Sequence, residues 1–204
     1  MTIQIIESGT REGALKAWDK RGRGRKKNLE EAQYYEMGAI EFEKSPTQIS
    51  NTEREVILAW TGSDWYPFVQ ESLRNEKPKL DYQDDIQTLD NLIKKQPESE
   101  LSFVFYRRTG VFGSAFKRGE IYEDKGFVST SIKDPKNYYA YWGGKKTLWK
   151  IKVPKGSKFF KVYVDTRHSP LEQEVLLPRN SRFKILDVRK YDGETEIVAE
   201  YLGS

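Results

Sequence analysis

The chain has 204 residues, of which 32% are charged and 37% hydrophobic, and its formal net charge is +4. This length fits one domain with a sizeable core, and the small positive charge permits an anionic ligand without requiring nucleic acid. The chain contains no cysteine and one histidine, His168, which excludes disulfides, thiolate chemistry and a zinc site built from cysteine and histidine.

The sequence carries neither a membrane span nor a signal peptide. No apolar stretch approaches the roughly 18 residues that cross a membrane, and the first residues lack the apolar core of a signal peptide. We therefore predict a cytoplasmic protein without a membrane partner, which a dedicated machine could still deliver into a target cell.

Residues 1–27 differ from the rest in composition, because lysines and arginines dominate and glycines interrupt them. Such a basic run is typical of a linker or an interaction tail, and an arm that contacts nucleic acid is the alternative. We predict a tail over residues 1–27 and one domain over residues 28–204.

Residues 28–96 have apolar side chains at helical spacing, which predicts a helical layer. Possible N-caps and capping boxes mark four helix starts. The residues predicted at these starts are Asn28, Thr52 with Glu55, Ser63 or Asp64, and Asp84 or Asp85. The last helix would bury Ile86, Leu89 and Ile93 on one face.

From Leu101 onward the spacing of apolar residues becomes that of β-strands. It predicts about seven short strands, mostly separated by Gly, Pro, Asn or Asp. The segments are 101–106, 127–131, 149–153, 160–164, 174–177, 183–188 and 195–201. Helices followed by strands predict an α+β fold, with two packed, mostly antiparallel sheets over residues 97–204.

Two arginines, Arg107 and Arg108, follow the first strand segment and precede Gly110 and Gly113. Guanidinium groups beside a glycine-rich backbone suit a phosphate or carboxylate ligand. The simpler interpretation is a solvated arginine pair at the end of a strand.

Two further groups of candidate site residues, one of hydroxyl and one of aromatic side chains, come after the arginines in the chain. Ser129, Thr130 and Ser131 share a strand segment, where a serine on the inner face can hold a neighbouring carboxylate, although an ordinary edge strand has the same composition. Tyr139 and Tyr141 could stack on a planar ring or pack in the core.

Glu172 and Glu174 stand two residues apart before the apolar run 175–177. On a strand, such residues share one face at about 6–7 Å from each other, and like charges that close repel unless a cation accompanies them. Two solvated glutamates on an exposed face are the simpler interpretation.

The order of these motifs resembles the R-S-E class of mono-ADP-ribosyltransferases. The segments 104–110, 127–131 and 172–179 are similar to the corresponding stretches in the enzymatic components of clostridial binary toxins and in related bacterial and phage enzymes. The resemblance covers roughly residues 30–204. It implies the ADP-ribosyltransferase fold, NAD as cosubstrate and no metal.

The resemblance also implies roles for individual side chains. Glu174 would stabilise the positive charge on the NAD ribose, Ser129 would hold Glu174, and Glu172 would orient the acceptor. The remaining NAD-binding residues would be Arg107 and Arg108 at the phosphates, Gly113, Thr130 and Ser131 beside them, and Tyr139 or Tyr141 against nicotinamide.

The function implied is transfer of ADP-ribose to arginine of a target protein with release of nicotinamide, by a toxin or phage effector whose producer keeps an immunity or antitoxin protein. A glutamate at position 172 is the feature that goes with arginine as acceptor in this family. Ser169 stands where several actin-modifying toxins carry an aromatic residue, which argues against actin as the target. Nucleic acid as the acceptor, and a non-catalytic binding module of the same fold, are the alternatives.

Overall fold

The computed structural model describes residues 49–61, 65–76, 80–110, 115–132, 147–162, 174–191 and 193–204. The predicted basic tail and the helix predicted to begin at Asn28 lie outside these residues. In the part of the chain that the structure describes, no helix has the length and apolar character needed to cross a membrane.

Helices precede strands along the described chain. The helices are α1 (Asn51–Thr61), α2 (Tyr66–Arg74) and α3 (Gln83–Lys94), with a 3-10 turn at Leu80–Tyr82. The strands are β1 (Phe103–Thr109), β2 (Ile121–Asp124), β3 (Val128–Ser131), β4 (Thr147–Val153), β5 (Phe160–Lys161), β6 (Glu174–Leu177), β7 (Ser181–Tyr191) and β8 (Glu194–Tyr201). This order confirms the predicted α+β class.

Helix α1 begins at a capping box, but the box is two residues earlier than predicted. Ser50 and Glu53 exchange both bonds, with Ser50 N donating to Glu53 Oε2 at 2.7 Å and Glu53 N donating to Ser50 Oγ at 3.2 Å. Lys95 Nζ, just after α3, also donates to Glu53 Oε1 at 2.6 Å. Burial alone would raise the pKa of Glu53, but the bonds from Lys95 and Ser50 hold that pKa below its usual value. The contact with α3 favours the Ser50 box over the Thr52–Glu55 alternative.

Helix α3 begins without the predicted side-chain cap, and Ser63 and Asp64, the caps predicted for the preceding helix, lie outside the described residues. Trp65 is the N-cap of α2 and Tyr82 that of α3, and neither side chain bonds the helix backbone. Asp84 and Asp85 lie in the first turn of α3, where negative charge complements the helix dipole. Ile86, Leu89 and Ile93 are buried as predicted.

The strands form one hydrogen-bonded order, β2-β7-β8-β4-β1-β3-β6-β5, rather than two separate sheets. Among the described pairs, only β4 with β8 is parallel. The ladder between β1 and β3 consists of the single register pair Tyr106↔Ser131. That pair joins a five-stranded half (β2-β7-β8-β4-β1) to a three-stranded half (β3-β6-β5). The two predicted sheets are therefore the two halves of one sheet, linked by a single residue pair.

Two large apolar clusters among the described residues hold this arrangement. The larger lies between the two halves, since its buried side chains come from β1, β4, β7 and β8 on one side and from β3 and β6 on the other. The second packs the three helices against the outer face of the three-stranded half, through Leu176, Phe160 and Phe127. Burial of these apolar faces is the main driving force that fixes β3 and β6 between the five-stranded half and the helices.

Strand boundaries differ from the prediction at two functionally relevant places. Strand β1 continues through Thr109, so Arg107 and Arg108 lie within it rather than beyond its end. Strand β2 was not predicted, because Ile121 is exposed and the segment is short and half acidic, so it lacks an apolar period.

Candidate active site

Glu174 opens β6, and a hydroxyl of the neighbouring strand holds its carboxylate. Ser129 Oγ donates to Glu174 Oε1 at 2.5 Å, a short bond of the kind that a charged acceptor makes. In the register of β3 with β6, Glu174 is opposite Ser131, and Ser129 lies one alternation further along the same face. The structure thus brings together the Ser129 and Glu174 side chains that the sequence analysis paired.

A second donor reaches the same carboxylate oxygen from the helical layer. Trp60 Nε1, near the end of α1, donates to Glu174 Oε1 at 3.3 Å. Sequence reasoning placed Trp60 only in an apolar helical run. No local sequence pattern could indicate its contact with Glu174, because the two residues are 114 positions apart in the chain.

Thr130 and Ser131, which follow Ser129 on β3, lie against β6. Thr130 Oγ1 donates to the carbonyl of Val175 at 2.7 Å, and the Thr130 side chain is buried. Ser131 is also buried, at the register position opposite Glu174.

The two arginines of β1 point to opposite faces of the sheet. Tyr106 and Ser131 are register partners, so alternation puts Arg108 on the face of Ser129 and Glu174. Arg107 shares the opposite face with Phe105, toward the core between the halves. Arg108 is 7% exposed, and its Nη1 donates to Glu194 Oε1 at 3.4 Å.

Arg107 belongs to a charge cluster that the sequence did not reveal. Its Nη1 donates to Asp124 Oδ2 at 3.3 Å, and Arg74 of α2 donates to both oxygens of Asp124, at 2.9 and 3.1 Å. Asp124 is 3% exposed and also accepts the backbone N–H of Gly126 at 3.1 Å. Burial alone would lower the pKa of Arg74, but the bonds to Asp124 raise that pKa above its ordinary value. One carboxylate shared by two guanidinium groups leaves a net positive charge beside β1.

We expect the change Asp124→Ala to lower the free energy of unfolding by about 3 kcal/mol, because it leaves two guanidinium groups without a buried counter-charge. Chemical denaturation of the purified protein measures this. Asp187→Ala is the matched control: its partner Arg189 is 2.7 Å away and both side chains are about two-fifths exposed, so its loss should cost less than about 1 kcal/mol. Equal losses in the two variants would contradict a special role for the Asp124 cluster.

The remaining predicted site residues, Glu172, Gly113, Tyr139 and Tyr141, lie outside the described residues. Within the described ranges, no group of three or more acidic or histidine side chains is arranged to hold a metal ion.

Comparison with known proteins gives a family. A family model described as ADP-ribosyltransferase exoenzyme matches residues 34–202. No curated protein matches the chain by sequence.

Solved structures with the same fold include several toxins. Plx2a, an ADP-ribosyltransferase toxin from Paenibacillus larvae, is 21% identical with a TM-score of 0.66, over 95% of this chain and 96% of that chain. C3stau2 from S. aureus, solved with NAD, is 20% identical with a TM-score of 0.64, over 86% of this chain and 96% of that chain. The enzymatic component C2-I of the C2 toxin from Clostridium botulinum is 19% identical with a TM-score of 0.62, over 76% of this chain and 43% of that chain.

At these identities the structures establish the fold, and the family model, which spans most of the chain, establishes the family. The predicted resemblance to ADP-ribosyltransferases and the predicted fold class are both confirmed. This chain belongs to the ADP-ribosyltransferase exoenzyme family.

Proposed function

We propose that this protein is a NAD-dependent mono-ADP-ribosyltransferase that transfers ADP-ribose to arginine of a target protein and releases nicotinamide. The observation that carries the proposal is the short bond from Ser129 to Glu174 at the edge of β6. In a family of ADP-ribosyltransferases, an oriented carboxylate at this place is the group that the reaction requires.

The reaction breaks the bond between nicotinamide and C1 of the ribose. Nicotinamide leaves with the bonding electrons, so positive charge develops on the ribose as in glycoside cleavage. A fixed carboxylate stabilises that charge more in the transition state than in bound NAD, which lowers the barrier. Glu174 supplies the carboxylate, and the hydroxyl of Ser129 keeps it from rotating away.

The pyrophosphate of NAD needs cations, and β1 supplies them. Arg108 shares the face of Glu174 by alternation, although its guanidinium donates to Glu194 of β8, and it would be a second phosphate contact as the sequence predicts. Arg107 was predicted as the main phosphate contact, and it takes part in a cluster whose net charge remains positive because Arg74 shares Asp124. C3stau2, which has the same fold, was solved with NAD, and that supports NAD as the cosubstrate here.

Arginine as the acceptor rests on Glu172. A carboxylate can pair with a guanidinium group and hold one of its nitrogens toward C1 of the ribose. The reaction balances when the attacking guanidinium nitrogen loses one proton as it bonds to C1, and Glu172 is placed by the sequence to take up that proton.

We also propose that the protein acts as a toxin or effector, including delivery by a phage, with an immunity or antitoxin protein in its producer. Residues 1–27 would form a basic tail outside the catalytic domain. The tail is compatible with a family match that begins at residue 34.

Labelling with radioactive NAD in a cell lysate tests the proposed reaction. We expect label on protein that hydroxylamine removes, with mass spectrometry placing it on arginine. Label that nuclease removes and protease does not would assign nucleic acid as the acceptor, which the basic residues 20–27 would then explain. No label and no nicotinamide release above that of a Glu174→Ala control would identify a non-catalytic binding module.

A further inference from the structure

The Glu174 carboxylate is held from two different layers of the fold. Ser129 Oγ reaches it from the neighbouring strand at 2.5 Å, and Trp60 Nε1 reaches it from helix α1 at 3.3 Å. Both bonds end on the same oxygen, Oε1. The two donors therefore fix one edge of the carboxylate from two directions.

The indole of Trp60 is itself fixed in place. The residue is 3% exposed, and its ring makes edge contacts with Tyr66, Trp65 and Phe127 at centroid distances of 4.8, 6.1 and 5.5 Å. Phe127 is two residues before Ser129 in the chain. Packing of Trp60 on Phe127 thus ties the indole to the same segment that carries the other donor.

A buried indole N–H normally has a hydrogen-bond acceptor. Here the acceptor is a half-buried carboxylate on a strand of the active site, not a backbone carbonyl. At 3.3 Å the bond is long for an N–H donor, but it is directional and its donor ring is fixed, so it restrains the rotamer of Glu174 in a way that apolar packing would not.

We propose that Trp60 is a positioning residue, whose indole N–H acts with Ser129 to hold the Glu174 carboxylate in the orientation that stabilises the charged ribose. This inference rests on the proposed function of Glu174. It assigns to α1 a part in catalysis that goes beyond packing against the sheet, because the helix delivers a donor that helps to aim the carboxylate.

Trp60→Phe removes the N–H and keeps an aromatic ring against Phe127. Because a hydrogen bond to a charged group stabilises by about 1.5–3 kcal/mol, and part of this restraint is retained by Ser129, we expect kcat for NAD hydrolysis to fall about tenfold. KM for NAD should stay within about twofold, since Trp60 aims the carboxylate rather than binding the dinucleotide. Trp65→Phe, which alters the same aromatic cluster without removing the donor to Glu174, is the matched control and should retain wild-type kcat.

A double variant measures whether the two donors act on one atom. Either donor alone still holds Oε1, so Trp60→Phe combined with Ser129→Ala should lose more activity than the product of the two single losses. Losses that multiply independently would contradict a shared restraint.

A further variant separates donation from packing. Trp60→His retains an N–H donor on a smaller ring, so it should be less stable than Trp60→Phe in thermal unfolding and yet more active. If Trp60→His is the less active of the two, the contribution of Trp60 is packing and the inference is wrong.

The inference and the function on which it rests can fail separately. Wild-type kcat in Trp60→Phe, with an inactive Glu174→Gln variant, would overturn the positioning role and leave the proposed reaction intact. NAD cleavage that survives Glu174→Gln would overturn the proposed function itself.

Discussion

Replacing Glu174 by glutamine is expected to lower both ADP-ribose transfer and NAD hydrolysis by about a thousandfold or more, which corresponds to about 4 kcal/mol of lost transition-state stabilisation. Glutamine keeps the volume of the side chain and can still accept bonds from Ser129 and Trp60. What it removes is the negative charge that we propose stabilises the ribose. Both reactions begin with departure of nicotinamide, so both should fall together.

Chromatography measures the nicotinamide that this variant releases. The rate without lysate reports NAD hydrolysis, and the increase with lysate reports ADP-ribose transfer. The control is Glu100→Gln, which makes the same change at an exposed position before β1 and should retain wild-type rates. Thermal unfolding should show both variants folded. A Glu174→Gln protein that loses transfer but still hydrolyses NAD would show that the carboxylate serves the acceptor rather than the ribose.

The fold could be predicted where the sequence has a strong local period. Apolar alternation marked β4, and short strand-like segments marked β7 and β8. The three side chains predicted on the inner face of α3, Ile86, Leu89 and Ile93, are buried, although the equally buried Leu92 was not predicted. The predicted helix and strand boundaries were wrong where contacts between residues distant in the chain determine them. The Ser50 box prevails over the Thr52 box through the bond of Glu53 to Lys95, and β2 is held in place by its pairing with β7 rather than by its own apolar pattern.

The candidate site was predictable for residues that share a short motif and not for residues that meet only in three dimensions. Ser129 and Glu174 are in contact as the motif implied. The opposite orientations of Arg107 and Arg108 depend on how far β1 extends and on its register with β3, neither of which local composition determines. Asp124 and Trp60 could not be found from local pattern, since an acidic residue in a polar segment and a tryptophan in an apolar helix are both ordinary.

These features together connect the three layers of the fold at the candidate site. Helix α2 supplies Arg74, which shares Asp124 with Arg107 of β1. Helix α1 supplies Trp60, which bonds Glu174 of β6. The helical layer therefore does more than cover the sheet, because it fixes a charged side chain on each half of it.

Replacing Glu172 by glutamine is expected to separate transfer from hydrolysis. A guanidinium group is fully protonated at neutral pH and is a poor nucleophile in that state. A carboxylate that pairs with it can orient it and take up its proton as the new bond forms. Water needs less of this help and can still capture the ribose cation. We therefore expect transfer to arginine to fall about a hundredfold or more, which is the range for loss of a general base.

NAD hydrolysis in the same Glu172→Gln variant should fall less than about threefold, because departure of nicotinamide depends on Glu174. Label incorporation into lysate protein and nicotinamide release without lysate give the two rates from one preparation. Glu172→Asp is the informative companion, since it keeps the charge on a shorter side chain and should recover part of the transfer lost in Glu172→Gln. Equal losses of transfer and hydrolysis in Glu172→Gln would mean that the two glutamates act together on the ribose. The division of roles between ribose and acceptor would then be wrong, and the case for arginine as the acceptor would lose its main support.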